Sequence, residues 1–316
     1  MILVTGGMGF IGLNTARALV AAGESCVLGR HHVDRMPDFL RAAPAGRVHV
    51  EPLDVGDPSS LRRIGERHAI DGIIHLAAHL GSGDPVDAAR DAFASLVNVL
   101  EVARAWRVKR VSLASTIGVY AGLAEARCRE DAALPVASPH FIPAVKKCWE
   151  VMASHVGERI GVEVVLLRLA GLWGPLKAST NALPSLLAHA AVRGDRPDLG
   201  QLLFDRPLAD DGYDMCYVED GARAIALLHT AAGLSHRIYN VGSGRATRNQ
   251  ELIDAVKALV PGFELELPRR PAGDAARELS HLDIARLRQD TGYTPSTDVA
   301  AGMAAYIAWL RAGNPW

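Results

Sequence analysis

The chain has no large excess of charge, no long apolar run and no cysteine pattern, and each absence excludes a class of protein. Its 316 residues carry a formal net charge of −1 at pH 7, which argues against a nucleic-acid or membrane-surface partner. No apolar run reaches the roughly 20 residues that a transmembrane helix needs. Because the sequence opens on an apolar, strand-like run, we also expect no signal peptide.

The cysteines show neither a C-x-x-C pair nor the spacing of a zinc site. We therefore expect small buried side chains in a reducing, cytoplasmic environment. The adjacent His31 and His32 lack the i,i+4 or cysteine-paired spacing of metal ligands, so we expect no metal site. The four cysteines are Cys26, Cys128, Cys148 and Cys216.

The most informative motif is the opening segment, residues 1–12, which reads Met-Ile-Leu-Val-Thr-Gly-Gly-Met-Gly-Phe-Ile-Gly. A short apolar run leads into glycines at positions 6, 9 and 12, and an amphipathic helical pattern follows. Strand, glycine turn and helix form the arrangement that binds a dinucleotide pyrophosphate. Gly6 permits the sharp turn, Gly9 lets the backbone approach a phosphate, and Gly12 lets helix and strand pack closely. The first N–H groups of the helix, together with its dipole, attract the anion.

Beyond this motif, apolar strand-like runs alternate with helical patterns, which predicts an α/β doubly wound fold: a parallel sheet covered by helices on both faces. After Pro175 the pattern becomes irregular, and we expect a small substrate lobe. The predicted dinucleotide-binding domain comprises residues 1–175 plus 213–246, and the lobe comprises 176–212 plus 247–316. Strands are predicted at 2–5, 25–28, 48–51, 72–76, 110–114, 162–167, 214–218 and 237–241, and helices near 10–22, 58–68, 86–106, 144–160, 220–231, 247–259 and 298–311.

The spacing Thr-Gly-Gly-x-Gly-Phe-Ile-Gly resembles the extended short-chain dehydrogenase/reductase superfamily, the NAD(P)-dependent sugar-nucleotide epimerases and dehydratases. Two later segments strengthen the resemblance: residues 217–220 resemble the family's Tyr-Val-Asp-Asp, and residues 239–244 its Tyr-Asn-Val-Gly-Ser-Gly. The resemblance runs from residue 1 to about residue 310. It implies a Rossmann fold, a small-molecule substrate and a homodimer formed through the helices at 86–106 and 143–160.

The cofactor residues favour NADP, with NAD as the alternative. An acidic residue about 20 positions past the glycines would bind the adenosine ribose, but the second predicted strand is followed by Arg30 and His31. An arginine there suits a 2′-phosphate, although a solvated charge is the other interpretation. By resemblance, Asp54 contacts the adenine, and residues 75–79 lie against ribose and phosphate. The predicted cofactor residues are Gly6, Gly9, Phe10, Ile11, Gly12, Arg30, His31, Asp54, Val55, Leu76, Ala77, Ala78, Ser115, Lys146 and Leu169.

The resemblance also implies three catalytic groups. They are a Ser or Thr hydroxyl that bonds the reacting oxygen, a Tyr that transfers the proton, and a Lys four residues later that holds the nicotinamide ribose and lowers the pKa of the Tyr. Residues 115–120 resemble the family's Ser-Ser-x-x-Val-Tyr and give Thr116 the hydroxyl role. Glu150 fixes the register of the second element and makes Lys146 the family lysine. The tyrosine position is then Ile142, whose side chain cannot move a proton.

The missing tyrosine leaves three alternatives open. In the first, a substitute carries the proton. His140, two positions before Ile142, is the nearest titratable side chain in the sequence, and histidine is a residue type suited to proton transfer, although a surface or capping histidine is the other interpretation. In the second, Thr116, water and Lys146 suffice with slower turnover. In the third, NADP(H) binds without catalysis, as in a sensor or scaffold. Further candidates for the proton carrier are Tyr120, Tyr213 and His79.

Two departures from the family pattern fall on the substrate side. In residues 168–175 Gly171 stands where the family has Asn, and in residues 212–215 Tyr213 stands where it has Arg. By resemblance those polar residues hold the diphosphate of a sugar nucleotide, so their replacement favours a substrate without a tightly held diphosphate. The predicted substrate residues are His79, Thr116, Gly171, Leu172, Trp173, Asn181 and Tyr213.

Together these observations predict an NAD(P)-dependent oxidoreductase or epimerase that transfers a hydride at a carbinol or carbonyl carbon of a small or sugar-derived substrate. In this interpretation Thr116 polarises the oxygen, and Lys146 holds the nicotinamide ribose. A non-catalytic NADP(H)-binding sensor or scaffold is the alternative.

Overall fold

The computed structural model describes residues 1–33, 36–78, 83–138, 140–203, 207–271 and 279–313. Among these residues, seven parallel strands form the main sheet in the order β11-β7-β5-β4-β1-β2-β3. Short two-stranded sheets lie outside it. The strands are β1 (Ile2–Thr5), β2 (Cys26–Arg30), β3 (Val48–Pro52), β4 (Gly72–His75), β5 (Arg110–Thr116), β6 (Arg127–Cys128), β7 (Glu163–Leu169), β8 (Gly171–Trp173), β9 (Gly212–Tyr213), β10 (Met215–Tyr217), β11 (Ile238–Val241), β12 (Thr247–Arg248) and β13 (His281–Leu282).

The strand order reverses between β1 and β4, because β2 and β3 lie on one side of β1 and the other strands lie beyond β4. At such a switch point the connections leave in opposite directions and open a crevice at the carboxyl ends of the strands. The predicted doubly wound sheet is confirmed. The predicted strand at 214–218 is not part of it: β10 pairs with β8 in a separate sheet, because β8 follows β7 directly and offers β10 an edge.

Helices cover both faces of the sheet and build two apolar clusters. Leu13 and Ile225 are fully buried on one face, and Leu61 and Trp149 are buried on the other. The helices are α1 (Phe10–Ala21), α2 (Asp38–Arg41), α3 (Pro58–Arg67), α4 (Pro85–Trp106), α5 (Phe141–Ile160), α6 (Leu183–Arg193), α7 (Val218–Thr230), α8 (Asn249–Leu259), α9 (Ala285–Thr291) and α10 (Val299–Arg311).

A third apolar cluster lies where α6, α8 and α10 pack together. Leu187, Ile253, Met303 and Tyr306 are buried in it. Helices were predicted near 247–259 and 298–311, and both are present as α8 and α10. The sequence gives little sign of α9, which is short and polar, with the sequence Ala-Arg-Leu-Arg-Gln-Asp-Thr.

A buried ion pair ties α5 to the sheet. Arg168 on β7 and Glu150 on α5 are only 3% and 6% exposed, and their Nη2 and Oε2 atoms lie 2.7 Å apart. The Ser115 hydroxyl donates to Glu150, and Arg168 Nη1 donates to the Tyr120 hydroxyl at 2.8 Å. Because each charge is paired and further hydrogen-bonded, its burial is tolerated, and the register of α5 on the sheet is fixed.

Three cysteines are buried as expected, but Cys148 on α5 is exposed, so the prediction of four buried thiols is wrong at that position. No helix in the described ranges is long and apolar enough to cross a membrane. The same ranges contain no group of His, Cys, Asp and Glu side chains that could hold a metal ion.

Candidate active site

The glycine turn lies between β1 and α1, at the carboxyl end of the central strand. Gly6 has a φ of +64°, a backbone conformation that favours glycine, and the Gly9 N–H donates to the Gly6 carbonyl at 3.0 Å. A Cβ on Gly12 would overlap the Gly6 carbonyl oxygen and lie 2.7 Å from Gly7 Cα. Since Gly9 caps α1 without a side chain, the first N–H groups of the helix are left for an anion.

A cavity of about 540 Å³ opens beside this turn, a volume typical of small-molecule pockets. The glycine turn and the cavity together fit a dinucleotide. Phe10, Ile11 and Gly12 form the first turn of α1, and Leu76 precedes the residues that line the cavity. The predicted cofactor residues in the lining are Gly6, Gly9, His31, Asp54, Val55, Ala77 and Ala78.

One wall of the cavity comes from α4, which the sequence analysis did not include. Asp91, Ala94 and Ser95 line it. The available signal was the pair of small residues, Ala94 and Ser95, which lets another chemical group approach the helix. Small residues serve ordinary helix packing equally well, so this signal does not single out a binding site.

Asp54 and His31 lie at one end of the cavity. Asp54 Oδ1 accepts the Gly56 N–H at 2.8 Å, and Asp54 Oδ2 lies 3.8 Å from His31 Nε2. The rings of His31 and His32 have centroids 3.6 Å apart. Arg30 ends β2 and is half-buried beside this lining. A carboxylate and two imidazoles therefore face the same space, where they can bond ribose hydroxyls or, as imidazolium, a phosphate.

The predicted catalytic hydroxyl ends β5. Thr116 Oγ1 accepts the Gly118 N–H at 3.1 Å and so caps the short 3-10 turn that follows. Ser115 donates to Glu150 and therefore belongs to the buried ion-pair network rather than to the cavity lining. Leu169, the partner of Thr116 across the sheet, is buried in the core.

Lys146 lies in a closed cluster between α5 and the sheet. Its Nζ is 3.9 Å from the centre of the Trp149 ring, and Trp149 stacks on His75 with centroids 5.2 Å apart. Thr5 Oγ1 bonds His75 Nδ1 at 2.7 Å and accepts the Ala77 N–H at 3.2 Å, which connects the cluster to the cavity. Burial lowers the pKa of Lys146 to about 7 and the pKa of His75 to about 3.

The start of α5 is apolar at the position that the resemblance assigns to tyrosine. Ile142 and Pro143 lie in the first turn, and a Cβ on Gly118 would lie 2.8 Å from Pro143 Cγ, so this turn packs closely on the end of β5. His140 occupies the N-cap position and is exposed. The predicted His79 lies outside the described residues.

Gly171 and Tyr213, the two substrate-side residues that depart from the family pattern, contact each other. A Cβ on Gly171 would lie 2.5 Å from Tyr213 Cε2 and 3.0 Å from its Oη, so the Tyr213 ring occupies the space that a side chain at position 171 needs. Burial raises the pKa of Tyr213. Tyr213 and Arg270 line a neighbouring cavity of about 380 Å³, where Arg270 pairs with Asp211. Arg270 is a cation that the sequence analysis missed.

The remaining predicted substrate residues lie in the core or on the surface. Leu172 is 8% and Trp173 is 2% exposed, because the pairing of β8 with β10 turns them into the interior. Trp173 packs edge-on against Tyr217, with centroids 5.5 Å apart. Asn181 is exposed, and its carbonyl accepts the Leu203 N–H at 3.0 Å.

A doubly wound sheet with a glycine-lined cavity at its switch point is the architecture of the dinucleotide-binding Rossmann proteins. The sequence matches the NAD dependent epimerase/dehydratase family over residues 2–242. The chain therefore belongs to this family, whose cofactor is a nicotinamide dinucleotide, and the resemblance drawn from the motifs is confirmed.

Known relatives match the chain over nearly its whole length. The UDP-glucose 4-epimerase of Azospirillum brasilense is 28% identical, covering 98% of this chain and 92% of the relative. The dTDP-glucose 4,6-dehydratase of Streptomyces griseus is 26% identical, covering 100% and 95%. The structure is similar to that of UDP-glucose 4-epimerase from Bifidobacterium longum in complex with NAD⁺ and UDP, with a TM-score of 0.78 and 21% identity over 100% and 99% of the two chains. This last likeness shows the shared fold.

Gly12→Ala tests the closeness of the turn. The added methyl meets backbone atoms of residues 6 and 7, so we expect a loss of about 1–3 kcal/mol in the free energy of unfolding. We also expect at least a roughly tenfold weaker affinity for NAD⁺. Denaturant titration and calorimetric NAD⁺ titration measure the two effects. Gly233→Ala is the control, because a Cβ there meets no described atom within 4 Å. Wild-type stability and affinity in Gly12→Ala would contradict the close packing.

Proposed function

We propose that the protein is a nicotinamide-dependent epimerase or oxidoreductase that transfers a hydride at a carbinol or carbonyl carbon of a sugar nucleotide. The observation that carries the proposal is the shared edge: the glycine-lined cavity and the Thr116 hydroxyl both lie at the carboxyl ends of adjacent strands. Relatives that act on UDP-glucose or dTDP-glucose and match almost the whole chain support this substrate class.

Two parts of the molecule bind the two ligands: the sheet domain holds the dinucleotide, and the lobe holds the substrate. The bound dinucleotide supplies the hydride acceptor. The glycine turn holds its pyrophosphate, Asp54 and His31 hold the adenosine end, and Thr116 bonds the reacting oxygen. The lobe of residues 176–212 and 247–316 holds the nucleotide end of the substrate, beside the cavity that Tyr213 and Arg270 line.

A non-catalytic NADP(H) sensor is the second candidate, and one observation favours it. Ile142 stands in the apolar first turn of α5, and an isoleucine side chain cannot exchange a proton with a substrate. A sensor would bind the dinucleotide with the same glycine turn, and Thr116 would take part in no reaction.

Turnover of UDP-glucose separates the two candidates. We expect the purified protein with NAD⁺ or NADP⁺ to convert UDP-glucose to its 4-epimer or a 4-keto product, detected by chromatography. Thr116→Val, which removes the bond to the reacting oxygen, is expected to slow conversion by about 10²–10³-fold. Thr230→Val, at the end of α7, serves as the control. Dinucleotide binding without conversion of UDP-glucose or any of a panel of carbonyl compounds would support the sensor.

We further propose that the cofactor is NADP, with NAD bound more weakly. Arg30 ends β2 with a guanidinium, which suits bidentate pairing with a phosphate, and the neighbouring His31 and His32 line the cavity. A 2′-phosphate placed at this end of the cavity accepts charge-assisted hydrogen bonds. Family relatives that use NAD do not exclude this preference, because it depends on a few side chains after β2.

The two dissociation constants test the NADP preference directly. We expect wild-type protein to bind NADP⁺ more tightly than NAD⁺. Arg30→Asp is expected to weaken NADP⁺ binding by about tenfold or more, since hydrogen bonds to charged groups are worth about 1.5–3 kcal/mol, while NAD⁺ binding changes little. Arg196→Asp makes the same charge change on the exposed surface near α6 and is the control. Equal wild-type constants for the two dinucleotides would refute the preference.

We also propose that a second copy of the chain covers the outer face of α4 and α5. Val97 and Val151 are 58% and 71% exposed there, and Val97 follows Phe93 by one helical turn. Phe93, Val151 and Met152 line an apolar groove of about 890 Å³. Trp149 does not contribute, because it is 1% exposed. An apolar surface of this kind marks a protein interface.

Val151→Glu is expected to convert a dimer into a monomer, because a carboxylate on this face would have to be buried without a partner. Light scattering after size-exclusion chromatography measures the mass. Leu203→Glu places the same charge at another exposed apolar residue and should leave the dimer intact. A wild-type monomer, or a Val151→Glu dimer of unchanged stability, would contradict the proposed interface.

A further inference from the structure

Three buried polar atoms of one cluster have no hydrogen-bond partner among the described residues: Lys146 Nζ, His75 Nε2 and Trp149 Nε1. Lys146 lies over the Trp149 ring, and Trp149 stacks on His75. Buried polar atoms almost always have partners in folded proteins. Three such atoms in one place therefore require a reason beyond packing.

The contacts of α5 place this cluster beside the end of β5. About one helical turn before Lys146, Pro143 packs against Gly118. One turn after it, Glu150 accepts a hydrogen bond from Ser115. Residues three and four apart lie on the same side of a helix, so Lys146 lies between these two contacts, on the side of α5 that faces the end of β5.

We propose that Lys146, as a neutral amine, is the proton acceptor of this site and replaces the tyrosine that Ile142 cannot supply. The inference rests on the proposed function. The substrate hydroxyl bonds Thr116 Oγ1. As the carbinol C–H bond breaks and its hydride passes to the nicotinamide dinucleotide, the substrate O–H bond breaks and a C=O bond forms. The proton of the substrate hydroxyl passes to Lys146 Nζ, which becomes an ammonium; the reverse step returns it.

Opposing effects set the charge state of Lys146. Burial disfavours the ammonium and Glu150, on the same helix, favours it, and the pKa of Lys146 is lowered to about 7. The carboxylate of Glu150 is already engaged by Arg168 on β7. The Trp149 face also attracts a cation, while His75 on β4 stays neutral because burial lowers its pKa to about 3. An amine balanced in this way can accept and return a proton near neutral pH.

The protonation state of Lys146 can be measured without turnover. The sequence contains five lysines, so protein labelled with ¹³C at lysine Cε gives five resonances, and Lys146→Arg identifies one of them. In the NADP⁺-bound protein we expect this resonance to titrate with a midpoint near pH 7, because the pKa of Lys146 is lowered to about 7. A Lys146 resonance that remains in the ammonium form up to about pH 9, near its ordinary behaviour, would overturn the proposal.

Kinetics give the second readout. With UDP-glucose as the probe, we expect the rate of nicotinamide reduction in a single turnover to rise with pH, with the same midpoint as the resonance. Lys146→Met is expected to lose about 10²–10⁴-fold in rate and this pH dependence. Lys147→Met is the matched control, because Lys147 Nζ donates to the backbone carbonyls of Pro135 and Ala137 instead.

The experiments distinguish failure of the proposed function from failure of Lys146 as the proton acceptor. Wild-type protein that binds NADP⁺ but does not act on UDP-glucose refutes the proposed substrate. A Lys146→Met protein that keeps the wild-type rate and pH profile refutes Lys146 as proton acceptor, whatever the substrate. Folding of each variant is checked by its unfolding transition.

Discussion

The buried ion pair between Arg168 and Glu150 is the interaction on which the geometry of the site depends. It joins β7 to α5, and the Ser115 hydroxyl adds β5 to the same network. Removal of one partner from a buried pair costs about 3–5 kcal/mol, because the other charge is left uncompensated. The pair therefore holds α5 in one register on the sheet. That register places Lys146, one turn before Glu150, beside the carboxyl end of β5.

This register places Lys146 Nζ where no described residue offers it a hydrogen bond. With Ile142 and Pro143 in the first turn of α5, the environment of Lys146 consists of the Trp149 ring, His75 and a carboxylate already engaged elsewhere. Desolvation is then the largest effect on the Lys146 amine, and its pKa falls. In the tyrosine arrangement that the resemblance implies, the lysine remains charged and acts on a phenol. Here burial outweighs the charge of Glu150 and lowers the pKa of Lys146, which is the basis for proposing that the amine itself accepts the proton.

The sheet and the glycine turn could be predicted from the sequence because both depend on local signals: apolar runs of strand length, and glycines at fixed spacing before a helix. The start of α5 was less well predicted. It begins at Phe141 rather than near 144, since Pro143 is tolerated in a first helical turn. The α4 wall of the cavity and the burial of Lys146 were not predicted, because they depend on which distant elements pack together.

The contact between Gly171 and Tyr213 also depends on which distant elements pack together. It changes the interpretation of both residues. Taken singly, each residue replaces a polar residue of the family pattern. In the structure the missing side chain at position 171 is the space that the Tyr213 ring fills, and Arg270 lines the cavity beside the ring. The complementary fit makes the two replacements one packed contact, because a side chain at position 171 and the Tyr213 ring cannot occupy the same space.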